Sequence, residues 1–380
     1  MLASSSSVPR VRTRSFSAER LVLARQLRGL TQVKLAHRLG VSAAAISQFE
    51  AGAAVPAAAT LERLGVILKV RPAFLARPTE IRPQSRPFFR AVSSTPAADR
   101  DRAAAYALVL SEVAASIERH VELPPLQVTS VLDADDATSG GQIETAAAEA
   151  RTTWGVPPGP IADVINLAEA RGIVVAAVGD FNERMDAFSL RTNQRPVVVL
   201  CTAKGVAARR RFDMAHELGH MVLHSERLSD PRCQEAQAHR FAAALLMPKG
   251  EIEPFLPRNP NDLRALEETS KTWGVSMQAA LYRARQLALL APEHYTKAIR
   301  RLSAAGWRRR EPIEIGPAER PRLLAQAVVA LPDAGVSLAQ LAEEFGVAEG
   351  RLARMLALPE DSADVHADVV ELRPRRSAAI

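Results

Sequence analysis

Residues 216–220 read His216-Glu217-Leu218-Gly219-His220, preceded by Arg211-Phe212-Asp213-Met214-Ala215 and followed by Met221-Val222-Leu223-His224. The flanks suit a helix, and helical side chains four residues apart project from one face. The two histidines can therefore grip one metal ion while Glu217 stands beside the remaining coordination position. A hydrolytic zinc site needs three protein ligands and one open position for water. The third ligand must come from elsewhere. Four of the chain's eight histidines, at 216, 220, 224 and 239, fall within 24 residues. The run EAQAHRFAAALLMP, from Glu235 to Pro248, reads as a second helix with one apolar face. Glu235 and His239 share another edge of it, an arrangement able to supply one ligand and its hydrogen-bonded partner. Cys233 lies close by in sequence and reads as a free thiol.

The chain has 380 residues, enough for two or three domains, and 47% of them are apolar, as is ordinary for a globular protein. No apolar run reaches the roughly 18 residues that would span a bilayer. The stretch from Met1 to Arg14 is rich in Ser and Arg with no apolar segment, which predicts a disordered basic arm rather than a secretory signal. Two cysteines, Cys201 and Cys233, make no disulfide framework and suit a reducing cytoplasm. Charge is unevenly placed: residues 1–90 carry 15 Lys/Arg against 4 Asp/Glu, a net of +11, and the rest of the chain nets −4. A basic first quarter on an acidic remainder points to a polyanion-binding module at the front.

That front quarter reads as four short helices, over 17–27, 32–39, 43–49 and 58–68. Thr31 and Ser42 stand at N-cap positions, and Gly29, Gly40 and Gly52 at stops. Leu35, Ala36, Val41, Ile46 and Phe49 are placed to pack the second and third helices across a tight turn. A helix pair of this spacing is a helix-turn-helix, which lays its second helix in the DNA major groove. Residues 31–52, TQVKLAHRLGVSAAAISQFEAG, resemble the Xre/Cro-type helix-turn-helix family over about 17–76. The resemblance implies that Gln32 touches the DNA backbone or bases and that Ser42, Ala43, Ala44, Ser47 and Gln48 face the groove. Arg25, Arg28, Lys34 and Arg38 then become candidate phosphate contacts. Three alanines stand where long polar side chains would read bases in pairs of hydrogen bonds. Modest sequence specificity is therefore expected, supplemented by phosphate contacts and by pairing as a homodimer. A helical bundle used for protein contacts is the bland alternative.

Prolines and arginines fill 72–96, five of the first and four of the second, and predict a linker that extends to 140 around a helix at 97–120. Beyond it come helices at 143–154 and 161–170 and strands at 172–178, 187–191 and 197–201. The HELGH helix, the 234–246 helix and a helical C-terminal third complete the chain. Ser337-Leu338-Ala339-Gln340-Leu341-Ala342, with Gly346, Val347 and Leu352, repeats the front module's spacing. This echo is acidic at Glu343, Glu344 and Glu349, so a helix pair that packs is favoured over one that binds DNA.

HELGHMVLH followed by EAQAHRFAAALLMP resembles the ImmA/IrrE family of zinc metallopeptidases over about residues 143–285. Gly159-Pro160-Ile161, Asp186-Ala187-Phe188-Ser189, Arg211-Phe212, Trp273-Gly274-Val275-Ser276 and Leu281-Tyr282-Arg283-Ala284 carry the rest of the likeness. The resemblance implies a Zn²⁺ ion held by His216, His220 and Glu235, with Glu217 as general base. It leaves His224 as a supporting or structural group. His239 hydrogen-bonds a ligand or serves as a fourth one, and Tyr282 and Arg283 are candidates to stabilise an oxyanion. The donor types favour zinc over manganese or iron.

The expected fold is α+β and mostly helical: an all-α head, a zincin-like α+β domain with a small sheet, and a helical C-terminal region. The expected divisions are a disordered arm at 1–16, a helix-turn-helix domain at 17–76, the linker at 77–140, the metallopeptidase domain at 141–290, helices at 291–360 and a disordered tail at 361–380. The expected partners are double-stranded DNA and a peptide substrate, either a helix-turn-helix repressor or the chain itself, cut for instance within 78–96. No membrane is expected. The expected function is a cytoplasmic DNA-binding regulator carrying a zinc-dependent endopeptidase. Its alternatives are a non-catalytic transcription factor whose metal domain is a sensor or structural module, and an antitoxin-like partner in a two-gene module.

Overall fold

The computed structural model describes residues 16–83, 88–89, 96–128, 132–179, 181, 185–202, 207–224, 230–259, 262–307, 311–358 and 372–375. All but the last residue of the expected basic arm, and most of the tail at 361–380, lie outside them. The described chain falls into two compact units. One comprises the chain up to Glu80 together with Ser337–Leu352; the other comprises Ile81–Val336 and the chain from Ala353 onward.

The first unit opens with α1 (Ala18–Leu27), α2 (Gln32–Leu39), α3 (Ala43–Glu50), α4 (Ala58–Leu68) and α5 (Pro72–Ala76). Thr31 and Ser42 cap α2 and α3, their hydroxyls accepting from the Lys34 and Ala45 amides. Gly40, at φ +75°, supplies the left-handed residue that ends α2 and turns the chain into α3. Leu35, Leu39 and Ile46 are fully buried between the helices, each worth about 1.5–3 kcal/mol of transfer free energy. The stretch expected as linker starts instead with α5, which Pro72 opens at a position where no amide donor is needed.

The second unit contains β1 (Phe88–Phe89), α6 (Ala97–Glu118), β2 (Val121–Glu122), α7 (Gly140–Thr153), α8 (Val164–Glu169), β3 (Val174–Val178), β4 (Ala187–Leu190) and β5 (Val197–Cys201). It continues through α9 (Ala207–Leu223), α10 (Pro231–Leu246), α11 (Lys249–Ile252), α12 (Leu263–Trp273), α13 (Met277–Gln286), α14 (Pro292–Ala304) and α15 (Leu323–Ala330). The three expected strands, joined by β1, form a four-stranded sheet in the order β1-β4-β5-β3, with β3 parallel to β5 and the other neighbours antiparallel. Both faces are covered. Ala187, Val198 and Leu200 share a core with Leu218 and Val222 of α9. Phe188, on the other face, meets Phe181, which packs edge-on against Tyr106 of α6.

The expected linker at 77–140 is corrected by this packing. From Ile81 onward it belongs to the second unit, and α6 buries Val109, Leu110, Val113 and Ile117 as part of the fold.

The C-terminal region also departs from expectation. It holds α16 (Leu338–Glu344), α17 (Glu349–Met355) and β6 (Arg373–Pro374). β6 pairs antiparallel with β2, so this part of the expected disordered tail is structured. Residues 337–352 leave the other C-terminal helices and join the first unit. There they reproduce the front helix-turn-helix at a constant offset of 306 residues. Ser337 caps α16 as Thr31 caps α2, Gly346 (φ +61°) turns as Gly40 does, and Leu341, Ala342, Phe345 and Leu352 are buried as Leu35, Ala36, Leu39 and Ile46 are. The Arg71 amide donates to the Gly346 carbonyl at 2.7 Å. The Arg77 guanidinium lies 3.9 Å over the Phe345 ring and donates to the Glu344 carbonyl at 3.1 Å. A Cβ on Gly346 would collide with the Phe74 backbone, so only glycine fits there. Glu343 and Glu344 pair with Arg71 and Arg77, the packing role expected of the acidic echo.

Candidate metal centre

Among the described residues, helices α9 and α10 make the most extensive contact between any two elements. Gly219 permits it: a Cβ there would stand 3.0 Å from the Ala238 carbonyl oxygen and 3.1 Å from the Ala238 Cα. The close approach brings His216 and His220, both 1% exposed, against Glu235. Their Nε2 atoms are 3.1 Å apart, and each is 3.3 Å from a different Glu235 oxygen. A tetrahedral site with bonds of about 2.0–2.1 Å places its donors roughly 3.3–3.4 Å from one another. The three side chains thus fit one ion of zinc's size and donor preference. Among the described residues they are the only such group of three. Burial pushes the Glu235 carboxyl up, but hydrogen bonds and charge from the two histidines outweigh it and hold it well below the usual range. The carboxylate is therefore ready to ligate.

A chain of hydrogen bonds fixes His220. Its Nδ1 lies 3.1 Å from His224 Nδ1, and His224 Nε2 lies 3.0 Å from Gln237 Oε1. The Gln237 amide is itself oriented by donation from its Nε2 to the Asp135 carbonyl at 2.7 Å. Gln237 Oε1 can only accept, so His224 carries its proton on Nε2 and accepts at Nδ1 from His220. With an ion in place of the proton shared with Glu235, this chain would leave the lone pair of His220 on Nε2, on the side of that carboxylate. Burial, with His220 beside it, lowers the His224 pKa to about 4, which keeps that ring neutral.

Glu217 is fully buried, and its Oε2 accepts from the Ser189 hydroxyl of β4 at 2.6 Å. Arg191, just past β4, donates to the Met221 carbonyl of α9 at 2.6 Å, fastening that helix to the sheet. Ser189 and Gln237 had no role assigned from sequence. Ser189 is marked in sequence only as the last residue of the Asp186–Ser189 likeness, and Gln237 only by sharing a helix with Glu235.

His239 is outside the three-donor group. Its ring packs between Phe212 and Tyr282, at 4.8 and 4.9 Å, and stands 6.3 Å from that of His216. Arg283 is not available to an oxyanion, because it is fully buried and paired with both oxygens of Glu144 at 2.6 and 2.7 Å. The remaining motif pieces are also structural. Arg211 donates to the Ile161 and Ala162 carbonyls and pairs with Glu319, while Gly274 leaves room for its guanidinium.

In the first unit, Ala43, Ala44, Ser47 and Gln48 of α3 and Lys34 and Arg38 of α2 are exposed. Ser42 is exposed too, with its hydroxyl engaged in the cap. Arg28 is half-buried. Arg25 does not fit a phosphate contact: Glu50 takes its guanidinium at 2.5 and 2.9 Å. Gln32 donates to the same carboxylate at 2.8 Å, so its amide is held at the start of α2.

Residues 21–75 match the helix-turn-helix family, and residues 168–285 match the IrrE N-terminal-like domain of the peptidase M78 family. The chain joins a helix-turn-helix domain to an IrrE-like domain. No curated protein matches it. The IrrE-like match begins inside α8, whereas α7 packs on α10 in the same unit. The fold that holds the candidate metal centre is therefore wider than the matched segment. No single helix among the described residues is long and apolar enough to cross a membrane.

Proposed function

We propose that this protein is a DNA-binding regulator whose IrrE-like domain is a zinc-dependent endopeptidase acting on a repressor protein or on its own chain. The observation that carries the proposal is the convergence of His216, His220 and Glu235 beside Glu217, in a chain that also bears a helix-turn-helix. When bound, zinc supplies a water of lowered pKa and polarises the scissile carbonyl. His216, His220 and Glu235 would hold the ion, and Glu217 would serve as the base that accepts a proton from the attacking water and hands it to the leaving amine. The Ser189 hydroxyl holds the carboxylate to one orientation while it does so. His224 and Gln237 hold the His220 ring with its Nε2 lone pair toward the ion.

Two measurements on the purified full chain test the assignment. Chelation should abolish cleavage of helix-turn-helix repressors encoded nearby, and stoichiometric zinc should restore it. Duplex binding should weaken linearly in log–log terms as salt rises, each phosphate contact contributing about −0.9 to the slope. A flat salt response would show that the head does not touch phosphates, and cleavage in excess chelator would remove the metal from the mechanism. Gln237→Leu should weaken zinc binding by about 10–100-fold, read by competition with a chromogenic chelator. Parent-like affinity in that variant would show that the histidine chain does not position His220.

A further inference from the structure

The outer edge of β4 is where an extended peptide would most readily add beside the metal centre. Strand addition needs an edge of unpaired amides and carbonyls, and β4 carries Ser189, which touches Glu217. That edge is already taken by the chain itself. β1 pairs antiparallel with β4, with Phe88 opposite Ser189 and Phe89 opposite Phe188. Further along, Pro83 bridges Thr192 in the same sense. The Arg82 amide donates to Asn193 Oδ1 at 3.0 Å, and the Asn193 amide donates to the Arg82 carbonyl at 3.2 Å.

We infer that residues 81–83 and 88–89 are an intramolecular strap on the peptide-binding edge of the metal site, and that it must lift before an extended peptide substrate can bind. The inference rests on the peptidase proposal for the same site and adds its regulation. The pairing is short, two ladder residues and one bridge, and Pro83 has no amide to donate. Such a strap competes with an incoming peptide without sealing the site permanently.

The test uses the full chain with Glu217→Gln, so that binding is read without turnover. A fluorescent peptide copying residues 80–90 is titrated against this protein, against the same chain with Phe88→Pro and Phe89→Pro, and against the same chain with Asn193→Ala. Lifting the strap should tighten binding at least tenfold in the proline variant and about threefold in Asn193→Ala. The alanine variant decides the matter if the proline variant does not fold. Equal binding by the foldable variants and the parent overturns the strap. Catalysis is then read separately in strap variants that keep Glu217. Variants that bind the peptide tightly and never cut it would leave the strap standing and sink the peptidase proposal. If mass spectrometry of the zinc-loaded parent finds the chain cut between 81 and 89, the segment is a substrate and the strap inference falls.

Discussion

Glu217→Gln is expected to lower peptide hydrolysis by about 10²–10⁴-fold, the usual worth of a positioned general base, while bound zinc stays at the parent level. The amide has nearly the volume of the carboxylate, so the buried pocket under β4 remains filled. Its oxygen can still accept from the Ser189 hydroxyl, which preserves the contact between α9 and the sheet. What it loses is the capacity to take a proton. Turnover number and metal content measured on the same preparation separate the two effects. A variant that cuts at the parent rate would show that the base is another group. One that loses zinc as well would make Glu217 a structural member of the site.

The largest stability effect is expected at Arg283. Arg283→Ala should cost about 3–5 kcal/mol, the range for breaking a buried ion pair from one side. For a domain of this size, that is a fall of roughly 6–20 °C in unfolding midpoint. The guanidinium is fully buried, meets both oxygens of Glu144 on α7, and donates through Nε to the Met247 carbonyl at 2.9 Å. It thus ties α13, α7 and the end of α10, the helix that presents Glu235. Arg283→Lys should recover less than half of the loss, since an ammonium cannot match two carboxylate oxygens and a carbonyl at once. A loss below 1 kcal/mol in thermal or urea unfolding of Arg283→Ala would show that the helices do not depend on this tie.

Local chemistry made much of this legible in sequence. Thr31, Ser42 and Gly40 are local capping and turn signals, and the structure uses each in that role. The i, i+4 histidines needed only helical periodicity to share a face. Bringing Glu235 to them needed the close packing at Gly219, which sequence spacing alone does not encode. The misread parts depend on partners distant in the chain. Arg25 looks like a phosphate contact until Glu50 is placed beside it. Arg283 looks like a cleft residue until Glu144, 139 positions earlier, closes on it. Helix α6 looks like a linker helix because its Ala-rich surface has no strong apolar stripe. Its burial follows from the sheet that covers it.

The helix pair at 337–352 bears on how the protein is made. Its buried residues complete the interior of a unit whose other helices end by residue 80. At elongation rates of about 5–20 residues per second, roughly 15–50 s separate the synthesis of residue 80 from that of residue 352. During that interval the head exists on the ribosome without its last two helices. Helices α9 and α10, which carry the candidate metal ligands, emerge earlier, within the same interval. The finished head is thus among the last parts of the protein to be assembled, and a nascent chain stopped before residue 337 already carries all three candidate metal ligands while its helix-turn-helix unit is incomplete.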